Sequence, residues 1–154
     1  MVIYMPLMKL NAYTDFKYRC MIYVVLHSDR LVTAGEIAGA YGLSQNHIAK
    51  VTQELIRMEL LVGVRGRGGG VRLARPAKEI KLGELMAQAG GAEGVIDCEN
   101  GIGGVCRIVS SCRLKGIFAK AQRAFLAVLD EYTLADLVEN KEMQKALMKA
   151  LSPG

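Results

Sequence analysis

A chain of 154 residues, 51% hydrophobic and 23% charged, is long enough for a packed core and too apolar for an intrinsically disordered protein. Its net charge of +5 is uneven: residues 1–79 hold 11 Lys and Arg against 6 acids and residues 80–154 hold 9 against 9, so a field that attracts nucleic acid belongs to the first half. The longest apolar run of the first helical segment, residues 20–26, falls short of a membrane span and no signal-peptide pattern opens the chain, which predicts a cytoplasmic protein with no membrane partner and four reduced cysteines suited to metal or redox chemistry.

Residues 1–7 read as a leader or an upstream start, because Met8-Lys9-Leu10 would begin a chain equally well. Residues 13–27 predict a helix, with Phe16, Cys20, Tyr23 and Val24 recurring every three to four positions and Asp15 in the first turn. Thr33 and Glu36 have capping-box spacing and open a short helix through Tyr41, which Gly42-Leu43 breaks. Ser44 is placed to cap a third helix reaching about Met58, with Ile48, Val51, Leu55 and Met58 on its apolar side. Residues 61–65 and 71–74 read as two strands around the tip Gly66-Arg67-Gly68-Gly69-Gly70, a wing. A short helix at 82–89 leads into a Gly-rich stretch through Ser111 that is too long to be idle. Leu114, Phe118, Ala121, Phe125, Val128 and Tyr132 then follow heptad spacing, the seam of a long helix that wants a partner helix. Residues 134–151 predict an amphipathic helix. The expected fold class is mostly α with a small β-hairpin wing: residues 8–80 form a winged helix-turn-helix, 81–113 a short helix and cysteine loop, and 114–154 a dimerisation helix and C-terminal helix.

The segment from Glu36 to Ile48 places Ala38 four residues before Gly42 and Ile48 six after it. A helix-turn-helix needs these: a small residue where two helices touch, a glycine for the turn, and an apolar residue that pulls the second helix inward. An ordinary helical hairpin in a core has the same pattern, and the wing tips the balance to DNA binding. Ser44, Gln45, Asn46, His47, Ala49 and Lys50 then open the reading helix toward the major groove, where Asn or Gln pairs with adenine. Arg65 and Arg67 on the thin tip suit a narrow minor groove. A phosphate-cradling loop of a nucleotide enzyme is rejected, because that loop runs from strand to helix and ends in Gly-Lys-Ser/Thr.

Cys98, Cys106 and Cys112 are separated by seven and five residues in the Gly-rich segment, whereas Cys20 lies on the apolar side of the first helix and reads as a small buried hydrophobe. Thiolates bind soft metals, and the glycines let the backbone curl around an object. Zinc would want CxxC pairs or nearby His, neither of which this segment has, so an iron–sulfur cluster is the better fit; three metal-free thiols are the plain alternative. Only three ligands are local, and a fourth has to come from elsewhere.

Residues 8–140 resemble the Rrf family of bacterial winged-helix iron–sulfur regulators. The segments that carry the likeness are Leu10-Asn11-Ala12-Tyr13-Thr14-Asp15, Tyr41-Gly42-Leu43-Ser44-Gln45-Asn46-His47, Val64-Arg65-Gly66-Arg67-Gly68-Gly69-Gly70-Val71-Arg72-Leu73, and Cys112-Arg113-Leu114-Lys115 with Tyr132-Thr133-Leu134-Ala135-Asp136-Leu137-Val138. The last is most similar to the nitric-oxide-sensing branch. The resemblance implies a homodimer joined through the long helix, a pseudo-palindromic operator in double-stranded DNA, and a cluster, [4Fe–4S] rather than [2Fe–2S], held by Cys98, Cys106, Cys112 and a fourth ligand. Lys115 stands where the cluster-biogenesis branch carries a ligating His and cannot serve. In the nitric-oxide branch an Asp from the other subunit's first helix serves, and that motif falls on Asp15, whose ordinary reading is a charge that favours a helix start. The seven-residue gap after Cys98 is instead similar to the rhizobial iron-regulating branch. The expected function is therefore a repressor that senses nitric oxide, with a sensor of iron or cluster supply as the alternative. An iron–sulfur electron carrier is the rival of another class; it leaves the reading helix and wing unexplained, and no acid, base or nucleophile set lies near the cysteines, so the chain reads as no enzyme.

Overall fold

Helix α1, Ala12–Leu26, is capped by a residue outside the expected span: the Asn11 side chain accepts from the Thr14 backbone N–H at 2.7 Å. This is a computed structural model that describes residues 10–86, 98 and 104–152. The proposed leader and the Gly-rich stretch between Met86 and Gly104, Cys98 excepted, lie outside the described residues. Helix α2, Ala34–Tyr41, carries the expected capping box, with Thr33 and Glu36 each accepting the other's backbone N–H at 3.2 and 2.7 Å. Gly42 ends it in the left-handed region at φ +64°, where a Cβ would be strained, and this reversal sends the chain into helix α3, Gln45–Arg57.

Ser44 does not cap α3 as expected: it stands at the N-cap position, exposed, with no side-chain cap bond. The entry of α3 is set by the turn before it, through Leu43 N–H to Ala38 O at 2.8 Å. Strand β1, Leu61–Val64, pairs antiparallel with β2, Gly70–Leu73, in the register Leu61 to Leu73 and Val64 to Gly70, which leaves Arg65 on the tip and Ala74 beyond the ladder. Strand β1 ends one residue earlier than expected, and β2 is shifted by one residue toward the tip, so that Gly70 belongs to the ladder.

A 3-10 turn, Ala77–Glu79, leads to helix α4, Leu82–Met86, within the expected 82–89. Helix α5, Arg113–Leu129, has no buried residue. It stops before Tyr132, the last expected seam residue, because the chain turns there to meet the first half: Leu82 N–H donates to Tyr132 O at 2.9 Å and Leu134 N–H to Ile80 O at 2.8 Å. The expected single helix over 134–151 is divided into a 3-10 turn, Leu134–Val138, and helix α6, Lys141–Leu151, because Thr133 and Asn140 both act as N-caps.

The core joins Cys20, Met21 and Val24 of α1 to Ile48, Val51 and Leu55 of α3, with Ile37, Leu61 and Val71 closing one side and Ile80, Leu85 and Leu134 the other. Burial pushes the Cys20 thiol up to about 12, so this cysteine stays protonated and inert, in line with its expected role as a buried hydrophobe. Among the described residues no helix is long and apolar enough to cross a membrane.

A charged pair bridges α1 and α3 beside this core. Lys17, 1% exposed, donates from Nζ to Glu54 Oε1 and so ties α1 to α3. The Lys17 hydrogen bond, followed by one from Tyr13, holds the Glu54 carboxyl below its ordinary value of 4.5, against the opposing effect of burial. Because the folded value lies below the unfolded one, the pair's contribution is present above about pH 4.5 and is lost as pH falls through the folded value. Glu54→Gln strands a buried ammonium and should cost about 3–5 kcal/mol in urea unfolding near neutral pH, whereas Lys17→Met with Glu54→Gln should cost far less. The double variant should also lose less stability than the parent between about pH 6 and pH 3, which unfolding curves at the two values would check.

Candidate nucleic-acid interface and cysteine loop

The turn at Gly42 aims the start of α3 outward. Ser44, Gln45, Asn46, His47 and Lys50 are exposed and Ala49 is half-buried, while Ile48 between them is fully buried and anchors the helix. Not all of these side chains project freely. The Gln45 amide rests on α2, with Nε2 3.4 Å from where a Gly35 Cβ would stand, and the His47 ring stacks beside Phe16 with centroids 6.4 Å apart. An open cleft separates α3 from the hairpin, with Ala49, Gln53 and Ile56 on one wall and Gly63, Val64 and Arg65 on the other.

The wing's direction is set by one backbone contact. Val32, just before α2, and Val71 of β2 exchange both N–H to O bonds, at 3.1 and 2.7 Å. That approach leaves no room for a side chain at Gly70, where a Cβ would lie 2.5 Å from Val32 O. The tip beyond carries Arg65 and Arg67, both exposed.

Three residues absent from the expected interface adjoin it, two on α3 and one on α1. Tyr13, Gln53 and Arg57 line a surface pocket with Ala49 and Lys50. Gln53 and Arg57 were legible as the continuation of Ala49 at four-residue spacing. Tyr13 and the Lys17–Glu54 pair were not, since they depend on how α1 crosses α3.

Of the three loop cysteines, Cys98 is buried, Cys106 exposed and Cys112 half-buried. Cys106 N–H donates to Cys98 O at 2.9 Å, so the backbone brings these two together across their seven-residue spacer. Cys112 is the N-cap residue of α5, without a side-chain cap bond. Among the described residues no group of three His, Cys, Asp or Glu is gathered to hold a metal ion within one chain. Asp15 is indeed in the first turn of α1, ion-paired with Arg19 Nε at 2.8 Å, and Arg19 lies over the Tyr41 ring at 5.6 Å. The donor chemistry fits a soft metal site that takes a further ligand from outside the loop.

On α5 the expected seam is exposed at Leu114, Ala121, Phe125 and Val128, and half-buried at Phe118. Ile117, 61% exposed and outside the expected seam, lies on the same side as Leu114 and Ala121.

A family model described as Rrf2, iron-dependent transcriptional regulator, matches residues 10–140. The chain belongs to the Rrf2 family. It is 44% identical over 142 residues to the HTH-type transcriptional regulator NsrR of Oceanobacillus iheyensis, covering 92% of this chain and 97% of that one. It is 38% identical over 143 residues to the HTH-type transcriptional regulator NsrR of Halalkalibacterium halodurans, covering 92% and 98%. Among solved structures it is similar to CymR (YrzC), the global cysteine regulator of B. subtilis, with TM-score 0.68 at 20% identity over 86% of this chain and 97% of that one. It is also similar to T. potens IscR, with TM-score 0.67 at 25% identity over 86% and 87%. This Rrf2 protein is thus a DNA-binding transcriptional regulator with a winged-helix fold and not an enzyme, and the electron-carrier alternative falls.

If the Val32–Val71 contact holds the wing, Gly70→Ala should displace the hairpin and cost about 1–3 kcal/mol by overpacking. Amide exchange at Val71 faster than in the parent, with α1 protection unchanged, is the expected signature.

Proposed function

We propose that this regulator is a homodimeric, cytoplasmic repressor of a pseudo-palindromic operator that senses nitric oxide through an iron–sulfur cluster, [4Fe–4S] rather than [2Fe–2S]. The observation that carries the reading is the cysteine trio in a chain of this family, with Cys98 and Cys106 joined through the backbone and Cys112 at the start of α5. Their thiolates would hold the cluster, and Asp15 of the partner subunit would complete the set. Bound there, the cluster would supply iron open to attack by a small diatomic ligand.

The chain's own residues supply the coupling. Asp15 pairs with Arg19, and Arg19 in turn lies over the Tyr41 ring at the end of α2, so a partner loop that engaged Asp15 would act on a chain of contacts leading to the reading head. A carboxylate is a harder donor than a thiolate, so Asp15 would be the weakest-held ligand of the set. Without that ligand role, Asp15 would pair with Arg19 as it does here, beside the reading head, a difference able to shift DNA affinity by about 1–3 kcal/mol.

In this reading residues 8–80 bind DNA, 81–113 hold the cluster and 114–154 pair the subunits. The exposed apolar side of α5 supports pairing, because Leu114, Ala121, Phe125 and Val128, with Phe118 beside them, would gain a partner helix; Tyr132 would flank it from the following turn. Ser44, Gln45, Asn46, His47, Ala49 and Lys50 would face the major groove, and Arg65 and Arg67 the minor groove. A sensor of iron or cluster supply is the second reading, favoured by the seven-residue spacer and by the iron dependence in the family's description.

Cys98→Ala, Cys106→Ala or Cys112→Ala should each abolish stable loading in anaerobically reconstituted protein, and Cys20→Ala should not; iron and sulfide analysis decides, and a full cluster in Cys106→Ala overturns the site. Asp15→Ala should retain a cluster with altered absorbance while DNA release depends less on nitric oxide, and Asp15→Cys should resist nitric oxide. Release by iron chelation alone, with no response to nitric oxide, would instead select the second reading. At the interface, Arg65→Ala should lower the salt slope of operator binding by about one, while Asn46→Ala should change base preference by about 1–3 kcal/mol at one position.

A further inference from the structure

The surface pocket between the start of α1 and the outer side of α3 begins where the expected base-reading residues end, with Ala49 and Lys50, the last of them, on its lining. Lys50, Gln53 and Arg57 stand three and four residues apart and so share one side of the helix, with Tyr13 of α1 flanking them. Neither Lys50 nor Arg57 takes part in a salt bridge among the described residues. Helix α3 has a single acid, Glu54, in the middle of this group. Its charge is taken up from beneath: Glu54 accepts from the Lys17 ammonium, itself buried, and from the Tyr13 hydroxyl. The pocket therefore presents two cations and an amide, with the neighbouring anion already matched.

Position along the helix says what such a set would meet. Gln53 and Arg57 lie about 10 and 17 Å beyond Asn46 at helical rise. A major groove is only about 12 Å wide, so when Asn46 is at the base edges the far half of α3 has reached the flanking strand. Long cationic side chains there meet backbone rather than bases.

We propose that this pocket seats a backbone phosphate of duplex DNA, bound by Lys50, Gln53 and Arg57, and that Lys17 is a positioning residue that keeps the Glu54 charge away from that phosphate. The inference rests on α3 being the reading helix, and the test separates the two. The probe is a duplex recovered from a random-sequence pool by the parent protein, with affinity measured by fluorescence anisotropy over a salt series. Lys50→Gln and Arg57→Gln should each weaken binding about tenfold at moderate salt and lower the salt slope by about one per protomer, with base preference unchanged. Gln53→Glu should weaken it more. Lys17→Met, assayed at a temperature where its circular dichroism melt shows it folded, should also weaken binding, with a deficit that disappears at high salt. Adding Glu54→Gln to it should restore affinity to within about twofold of the parent.

Parent-like affinity and slope in both Lys50→Gln and Arg57→Gln, while Arg65→Ala and Asn46→Ala still weaken binding, overturns the phosphate seat and leaves the reading helix standing. A folded Lys17→Met that binds like the parent, or a deficit indifferent to salt, overturns the positioning role. A parent that recovers no duplex from the pool overturns both readings.

Discussion

A buried ammonium has few ways to exist in a folded protein, and Lys17 has found one: its partner is a carboxylate on the helix that α1 must hold in place. An ion pair of this kind adds little net stability compared with apolar residues of the same shape, because desolvation offsets its attraction. What it adds is register. Cys20, Met21 and Val24 could slide against Ile48, Val51 and Leu55 at modest cost, but an offset that parts Nζ from Glu54 leaves a charge in the core. The same pair disposes of the only acid on α3, on a surface where the other charged side chains, Lys50 and Arg57, are basic.

Helix α1 is also the element through which the second half reaches the first. It packs on α3, on β2 and on the 134–138 turn, and Tyr18 donates its hydroxyl to Leu82 O at 2.8 Å as α4 begins. Burial pushes that phenol up to about 12, so it serves as a fixed donor across any ordinary pH. Asp15, Lys17 and Tyr18 thus put a half-buried carboxylate, the tie to the reading helix and the tie to α4 within one turn. A force applied at any one of them is felt at the others, because the backbone between them is helical and stiff.

The hairpin is built on a different plan. Its two short strands cannot bury a face of their own. They are fastened at one end by the Val32–Val71 exchange and left open at the other, where Arg65 and Arg67 stand clear of the body. A rigid base with a thin, charged tip suits a groove that must be entered edge-on.

Local chemistry decided much of this protein without help from the fold. The capping box at Thr33 and Glu36, the break at Gly42 and the inward anchors Ile48, Val51 and Leu55 each depend on neighbours within a turn or two, so the two central helices and the hairpin are readable in the sequence. So are the Cys98–Cys106–Cys112 spacing and the unburied side of α5, whose residues show their need for a partner by periodicity alone. The expectations that failed were ones in which two local signals competed. Ser44 yielded to the turn before it, α5 ended before Tyr132 because Leu82 claims that carbonyl, and Asn140 divided the last segment because its cap is as good as the helix it interrupts. Only tertiary structure could choose Lys17 as a buried residue, since a lysine on an apolar helix face is affordable solely when a carboxylate 37 positions away arrives to meet it.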